Sequence, residues 1–276
     1  MASFEINGVT PLVGKVRISG SKNEALKLIP LSIVLKSKVK ITNVPEITDV
    51  FSQIQIAKQL GVKTSFENGV LTLESSDVSD FDIKSKFAKK LRASIVFLGP
   101  LLARFKKVKC RYPGGCVIGS RSIETHTDAF KQLGAKVNQN QRNIEISLDV
   151  PKKCAVNLKE KSVSATENIF LYASAIESEI TISNCAVEPE VIHLSKILEK
   201  AGAKFDWIND RKVTISGTTN LKLDEIEVIS DRIEAGTFLI GLIATGGEGE
   251  ISNFPAEYLD ALISILKGCG AKFKVT

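Results

Sequence analysis

The sequence predicts an α+β fold built from copies of one unit, with sheets and outer helices around a core of buried helices. Two observations carry this. The chain repeats itself at intervals of roughly 70 residues, a period that marks a recurring supersecondary unit. It also alternates two kinds of helical segment, one apolar nearly all round and one amphipathic, so one kind is buried and the other lies on a surface. The repeat shows at four places where a helical pattern ends in Gly, a small apolar residue and Lys: Gly61-Val62-Lys63, Gly134-Ala135-Lys136, Gly202-Ala203-Lys204 and Gly270-Ala271-Lys272. Upstream of three of them a β-patterned run ends in Asn: Ile41-Thr42-Asn43, Ile182-Ser183-Asn184 and Ile251-Ser252-Asn253. The second copy has Tyr112-Pro113-Gly114-Gly115-Cys116 instead, and that departure singles it out for function.

Each copy reads in the same order. A buried helix comes first: Lys22–Leu35, Lys89–Phe105, Thr166–Ser178 or Arg232–Thr245. A strand follows, as at Lys38–Thr42 and Glu179–Ser183. The amphipathic helix is next, with Val50, Ile54, Ala57 and Leu60, or Leu194, Ile197, Leu198 and Ala201, at helical spacing. Its Gly supplies the left-handed residue that ends it. A hairpin closes the copy: 63–66 and 70–74 around Glu67-Asn68-Gly69, or 204–208 and 212–216 around Asn209-Asp210. The fourth copy offers a helix at Glu257–Lys267 and a strand over 271–276 without a return strand, which suggests a truncated chain.

Composition bounds the function. The chain has 276 residues, 43% hydrophobic and 25% charged, with net charge +6, which favours anionic partners. The cations are scattered. The densest run, Arg104 to Arg111, reads as solvated surface and lacks the stacking aromatics of a nucleic-acid platform. No apolar stretch approaches a membrane span, and the first residues lack the basic and apolar regions of a secretion signal. The five cysteines are far apart and never spaced C-x-x-C, which argues against disulfides and zinc and for a reducing cytoplasm.

Few residues stand out for chemistry. Pro113 to Arg121 holds three glycines, so it reads as a mobile or sharply turned loop that exposes Cys116 five residues before a cation. A nearby cation raises thiolate content, and a thiol titrating near neutrality serves as general acid or nucleophile. The plainer reading of a lone cysteine is a small buried apolar residue. Lys22-Asn23 opens a helix, where backbone N–H groups favour a phosphate or carboxylate; Ser21 as a simple N-cap with Lys22 solvated is the alternative. Arg92 heads an apolar run and needs a partner, either a ligand or a structural carboxylate. Glu188, Glu190 and Asp231 sit at helix starts, where acids complement the macrodipole. His126 and His193 read as structural or partly exposed. Gly8, Gly14 and Lys15 have the wrong spacing for a P-loop.

Together these stretches resemble the enolpyruvyl transferase family, in its UDP-N-acetylglucosamine branch. The strings that carry the resemblance are 14–23 (GKVRISGSKN), 92–95 (RASI), 98–105 (LGPLLARF), 114–121 (GGCVIGSR), 165–168 (ATEN), 188–190 (EPE) and 231–238 (DRIEAGTF). They run in family order along the whole chain, and the Gly-Gly-Cys loop is particular to that branch.

The resemblance implies transfer of the enolpyruvyl group of phosphoenolpyruvate to the 3-hydroxyl of UDP-N-acetylglucosamine with release of phosphate, the first committed step of peptidoglycan synthesis. It implies neither metal nor organic cofactor, and no nucleic-acid or membrane partner. Cys116, the family's target for the epoxide antibiotic fosfomycin, would be the proton donor. Lys22, Arg92 and Arg121 would clamp phosphoenolpyruvate, and Asn23 would orient the tetrahedral intermediate. Arg121 with Ser122, Ile123, Glu124, Thr125 and His126, and the turn Ser162-Val163-Ser164, would hold the uridine and diphosphate. Ser122 and Glu124 stand where Pro and Asp are usual, and Ser164 where Gly is usual.

The implied fold is an inside-out α/β barrel of repeated βαβαββ units in two similar domains, with the site in the cleft between them. Residues 22–229 would form one complete domain. Residues 1–21 and 230–276 would begin the other, without its aspartate base and a further arginine. The 276-residue form is accordingly expected to be inactive or nearly so. The rival expectation is a non-catalytic short homologue that binds a nucleotide sugar or a protein.

Overall fold

The computed structural model describes residues 5, 8, 10–84, 88, 91–112, 123–140, 142–151 and 154–275. In chain order the elements are β1 (Val13–Arg17), α1 (Lys22–Leu35), β2 (Lys38–Thr42), α2 (Thr48–Gln59), β3 (Lys63–Glu67), β4 (Val70–Glu74), β5 (Asp82–Ile83), α3 (Leu98–Phe105), β6 (Lys107–Arg111), α4 (Glu124–Gln132), β7 (Lys136–Gln139), β8 (Asn143–Ser147), β9 (Ala155–Asn157), α5 (Val163–Ser174), β10 (Glu179–Ser183), α6 (Pro189–Lys200), β11 (Lys204–Asn209), β12 (Lys212–Ser216), β13 (Glu225–Glu227), α7 (Arg232–Ala244), β14 (Glu248–Ser252) and α8 (Asp260–Gly268), with 3-10 turns at Arg92–Phe97 and Ala256–Tyr258. They divide into two units, Lys22–Val228 and Met1–Ser21 with Ile229–Thr276.

The unit Lys22–Val228 holds three sheets of one pattern: β13-β2-β4-β3, β5-β6-β8-β7 and β9-β10-β12-β11. The hairpin of each repeat pairs antiparallel with that repeat's first strand. The fourth strand is borrowed from the tail of the neighbouring repeat and pairs parallel, with Ile226 opposite Ile41, Ile83 opposite Cys110, and Val156 opposite Ile182. Because β13 returns to β2, the three repeats close on themselves. Inside lie α1 and α5, buried over Glu24–Leu35 and Ala165–Ser174, with α3 against both. The outer helices α2, α4 and α6 bury one face each.

The repeat signatures have physical causes. Gly61, Gly134, Gly202 and Gly270 adopt φ of 104°, 94°, 119° and 87°, which only glycine tolerates cheaply. Asn43, Asn184 and Asn253 are left-handed at φ 55°, 61° and 58°. Each donates from Nδ2, over 2.8 Å, to a carbonyl just past the parallel partner strand: Val228, Leu158 and Ile18 respectively. The Asn thus ends the strand and locks the borrowed strand to it. Asn68 and Gly69, at φ 49° and 73°, make the tight turn between β3 and β4.

In the other unit β1 pairs parallel with β14, from Val13↔Glu248 to Arg17↔Ser252. Its small core is Ile18, Ala235, Leu259 and Ile263. α7 is as apolar as α1, yet Ile233, Phe238 and Ile240 are 53%, 39% and 47% exposed.

Four expectations need correction. The helix expected over Lys89–Phe105 is a 3-10 turn from Arg92 followed by α3 from Leu98. Gly99-Pro100 marks the break, since proline without an N–H belongs in a helix's first turn. α5 begins at Val163 rather than Thr166, because Ser162 Oγ accepts from Ala165 N and caps it. The fourth repeat's helix is split by the turn at Ala256–Tyr258, and residues 271–275 form no strand, having no ladder partner among the described residues. Arg104 is not solvated surface: its guanidinium donates to the carbonyls of Ile33, Ser75, Ser76 and Val78 over 2.8–3.1 Å, pinning α1 to the segment after β4.

Asn184→Ala loses both the left-handed preference and the bond to Leu158, so we expect a loss of about 2–3 kcal/mol in unfolding free energy. Asn184→Gly is expected to lose about 1 kcal/mol, because it keeps the backbone freedom. Urea titration of the three proteins checks the order, and equal losses would show that the strand-end geometry is not what the Asn supplies.

Candidate active site

The N-terminal turns of the helices in Lys22–Val228 are tied together by polar side chains set in an apolar interior. Lys27, on buried α1, reaches Glu167 on buried α5 at 2.7 Å, with 9% and 0% of the two side chains exposed. Its Nζ also donates to the Asn23 carbonyl over 3.2 Å, fixing the first turn of α1. Lys22 lies 3.5 Å from Asp49 at the start of α2. Glu24 pairs with His193 of α6. From α4, His126 meets Ser164 at 3.1 Å and Asn168 at 3.0 Å, both on α5. Asn168 also donates to the Ile95 carbonyl at 2.9 Å and accepts from Gly99 N–H at 2.6 Å. The network therefore touches α1, α2, α4, α5, α6 and the 3-10 turn that starts at Arg92.

Burial sets the electrostatics. It pushes the Glu167 carboxyl up to about 7, against the pull of Lys27 and with help from Glu190 and Glu188. Glu167 Oε1 has no hydrogen-bond partner among the described residues. Burial, reinforced by Arg92 and Lys27, pushes His126 down to about 3, so the imidazole is neutral at physiological pH. Burial pushes the Cys110 and Cys185 thiols up to about 12, which makes both inert.

The residues singled out from sequence fall into four groups. Asn23, Arg92, His126, Ser162, Val163 and Ser164 lie within this cluster, and exposed Lys22 lies at its edge. The side chains of Ile123, Thr125 and His126 are buried, Thr125 donating to Glu160 at 2.8 Å, so among the described residues of that stretch Glu124 alone is exposed. Cys116, Arg121 and Ser122 lie outside the described residues; their segment, 113–122, joins β6 to α4. Glu190 is buried in the first turn of α6, and Asp231 caps α7 through Oδ1, accepting from Ile233 and Glu234 N–H.

Lys27, Glu24 and Asp49 were not singled out from sequence, and Glu167 and Asn168 entered only within the string 165–168, with no role given to them. The signal was present for four of them: charged or amide residues inside helices otherwise apolar all round need partners.

The EPSP synthase (3-phosphoshikimate 1-carboxyvinyltransferase) family model matches residues 6–276. The chain belongs to the EPSP synthase (enolpyruvyl transferase) family. Within that family it is 38% identical, over 99% of its length, to UDP-N-acetylglucosamine 1-carboxyvinyltransferase 2 of Carboxydothermus hydrogenoformans, and 35% identical, again over 99%, to UDP-N-acetylglucosamine 1-carboxyvinyltransferase of Geotalea uraniireducens. It spans 65% of the length of each of these curated relatives. The enolpyruvyl transferase NikO from Streptomyces tendae matches 98% of the chain at a TM-score of 0.85 and 16% identity, the chain covering 65% of it. EPSP synthase from Acinetobacter baumannii matches 96% at 0.73 and 20%, the chain covering 61%. These likenesses show the family fold, the α+β architecture of repeated units expected from the sequence.

Glu167 holds its proton more tightly folded, near 7, than at the ordinary carboxylate value of 4.5. Between those values the folded chain binds more protons than the unfolded one, so this group's contribution to stability falls as pH rises. Glu167→Gln removes that decline and leaves the opposite trend of His126, whose contribution is lost as pH falls from 6.5 toward 3. Urea midpoints at about pH 5 and about pH 8 should therefore fall further in the wild type than in the variant; parallel profiles would contradict this.

Proposed function

We propose that this protein transfers the enolpyruvyl group of phosphoenolpyruvate to the 3-hydroxyl of UDP-N-acetylglucosamine, releasing phosphate, in the cytoplasmic synthesis of peptidoglycan. The observation that carries the reading is similarity along 99% of the chain to relatives named for that reaction. The clustered helix N-termini support it, since such ends attract anions and both substrates are anionic.

In this reading Lys22, Arg92 and Arg121 hold the phosphate and carboxylate of phosphoenolpyruvate. Cys116 protonates its methylene carbon. The positive centre formed at C2 is attacked by the sugar hydroxyl, which loses its proton to a base. The tetrahedral adduct, oriented by Asn23, then loses a methyl proton and phosphate, restoring the double bond. A thiol with a neighbouring cation is suited to the first proton transfer. Residues 122–126 and 162–164 hold the uridine and diphosphate. Lys22–Val228 is then the whole of one domain, and the residues around it the beginning of a like one.

Mass spectrometry of the chain with fosfomycin and UDP-N-acetylglucosamine tests this. We expect a single adduct at Cys116 that forms faster with the nucleotide sugar present and is absent from Cys116→Ala. Binding of the sugar nucleotide with an inert Cys116 would favour a non-catalytic binding protein, and neither binding nor adduct would refute the reading.

A further inference from the structure

The three sheets of Lys22–Val228 share one pattern, so equivalent rows across their solvent faces can be compared. The row that begins at the first residue of β2, β6 or β10 crosses three strands. In the first sheet it is Lys38–Glu74–Lys63, and in the third Glu179–Ser216–Lys204. Each of these rows holds a carboxylate of its own. Hydrogen bonds from Ser76, with some help from the charge of Lys63, hold the Glu74 carboxyl below its usual range. Glu179 accepts from the Ser216 hydroxyl at 3.4 Å, and it adds weakly to the effect of Asp206 in raising Lys204. In the second sheet the row is Lys107–Ser147–Lys136, with two cations and no acid.

Neighbouring strands lie about 4.8 Å apart, which sets the Cα atoms of Lys107 and Lys136 about 10 Å apart with Ser147 midway. All three residues are exposed. Among the described residues neither lysine has an acidic partner and the Ser147 hydroxyl has no hydrogen-bond partner. The Lys107 ammonium rests against Phe81, 4.2 Å from the ring centre. In the next row Lys109 and Glu145 neutralise each other at 2.6 Å, so the excess charge stays with Lys107 and Lys136. A cleft of about 470 Å³ lies here, and Phe81, Lys107, Lys109, Lys136, Glu145 and Ser147 help to line it.

The backbone N–H groups of β6 and β8 lie in the plane of the sheet and serve its ladders, so this face offers side-chain donors alone. A bare phosphate would gain little from two solvated lysines. A protein segment also gains apolar contact, for which Phe81 and the methylene stems of the lysines supply surface. The group that occupies this row in the other two sheets is a protein carboxylate, and that gives the chemistry of the one missing here.

We propose, independently of the reaction assigned above, that the outer face of β6, β8 and β7 docks an acidic segment of a partner protein, with a glutamate or aspartate entering the row over Ser147 between Lys107 and Lys136. Charge complementarity of this kind selects the partner and speeds its encounter. β6 leads on to the segment that carries Cys116, so the partner sits on the strand that feeds the proposed site.

Capped hexaglutamate, capped hexaglutamine and pyrophosphate serve as probes in ¹H–¹⁵N NMR titrations of the wild type, Ser147→Glu and the double variant Lys107→Ala with Lys136→Ala. Hexaglutamate should shift the amides of Lys107, Lys136 and Ser147 well before those of the row Lys38–Glu74–Lys63, and hexaglutamine should shift neither. Both variants should bind hexaglutamate about tenfold more weakly, Ser147→Glu because it supplies the missing acid itself. Equal response of the two rows, or undiminished affinity in Ser147→Glu, overturns the inference. So does saturation by pyrophosphate where hexaglutamate has no effect, which would mark a small-anion site. At low salt Ser147→Glu should also unfold at a higher urea concentration than Ser147→Gln, the gap closing in about 1 M NaCl as the charges are screened. No gap at low salt would show that the row lacks the positive field on which docking depends, and would overturn the inference as well.

Discussion

The parallel pairing of β13 with β2 closes the unit Lys22–Val228. Each sheet borrows one strand from the repeat beside it, so no sheet is complete within one repeat, and the last repeat supplies the first. The closing contact is built like the internal one between β9 and β10. Lys40 N–H donates to the Asp224 carbonyl at 2.9 Å and Val228 N–H to the Thr42 carbonyl at 3.1 Å, and Asn43 then seals the end. With the repeats arranged in a closed set, their buried helices share one interior, and their N-terminal turns are held within side-chain reach of each other. The polar network depends on that closure.

The network carries a cost. Lys27 and Glu167 are taken out of water, and an ion pair in such a place recovers its desolvation only with good geometry and further hydrogen bonds. Lys27 has the Asn23 carbonyl as well as the carboxylate, while Glu167 is left with an oxygen that nothing described satisfies. An apolar pair would serve packing alone at least as well. What the ion pair adds is position: it fixes the first turn of α1 to α5, and the next residue, Asn168, fixes His126 and Ser164. Lys22, Asn23 and Ser164 are therefore placed by the interior of the unit rather than by loops, an arrangement suited to binding that needs donors set in advance.

Much of the fold was legible because the repeat is written in residues with strict backbone demands. The four glycines and three asparagines that marked it are left-handed in the structure. The asparagines failed to mark the second repeat, where Tyr112 leads into 113–122. Boundaries were less legible where capping chemistry decides: Ser162 starts α5 three residues earlier than its apolar pattern suggests, and Gly99-Pro100 divides a run that looks continuous. The site was legible only at its rim. Lys22, Asn23 and Arg92 stand at helix starts, where a functional reading arises from sequence. Lys27, Glu167 and Asn168 stand out in sequence as polar residues inside apolar helices, but which residues they meet, such as 27 with 167, periodicity does not encode.

Hydrogen exchange, followed residue by residue, tests the closure most directly. If the three repeats form one closed structure, the Lys40 and Val228 amides exchange only with global unfolding of Lys22–Val228, matching Val213 and Ile215 in the interior strand β12 to within about 1 kcal/mol. If Val228 and Lys40 exchange near random-coil rates while β12 stays protected, β13 is a loosely attached end, the unit is open, and the placement of the helix N-termini needs another cause.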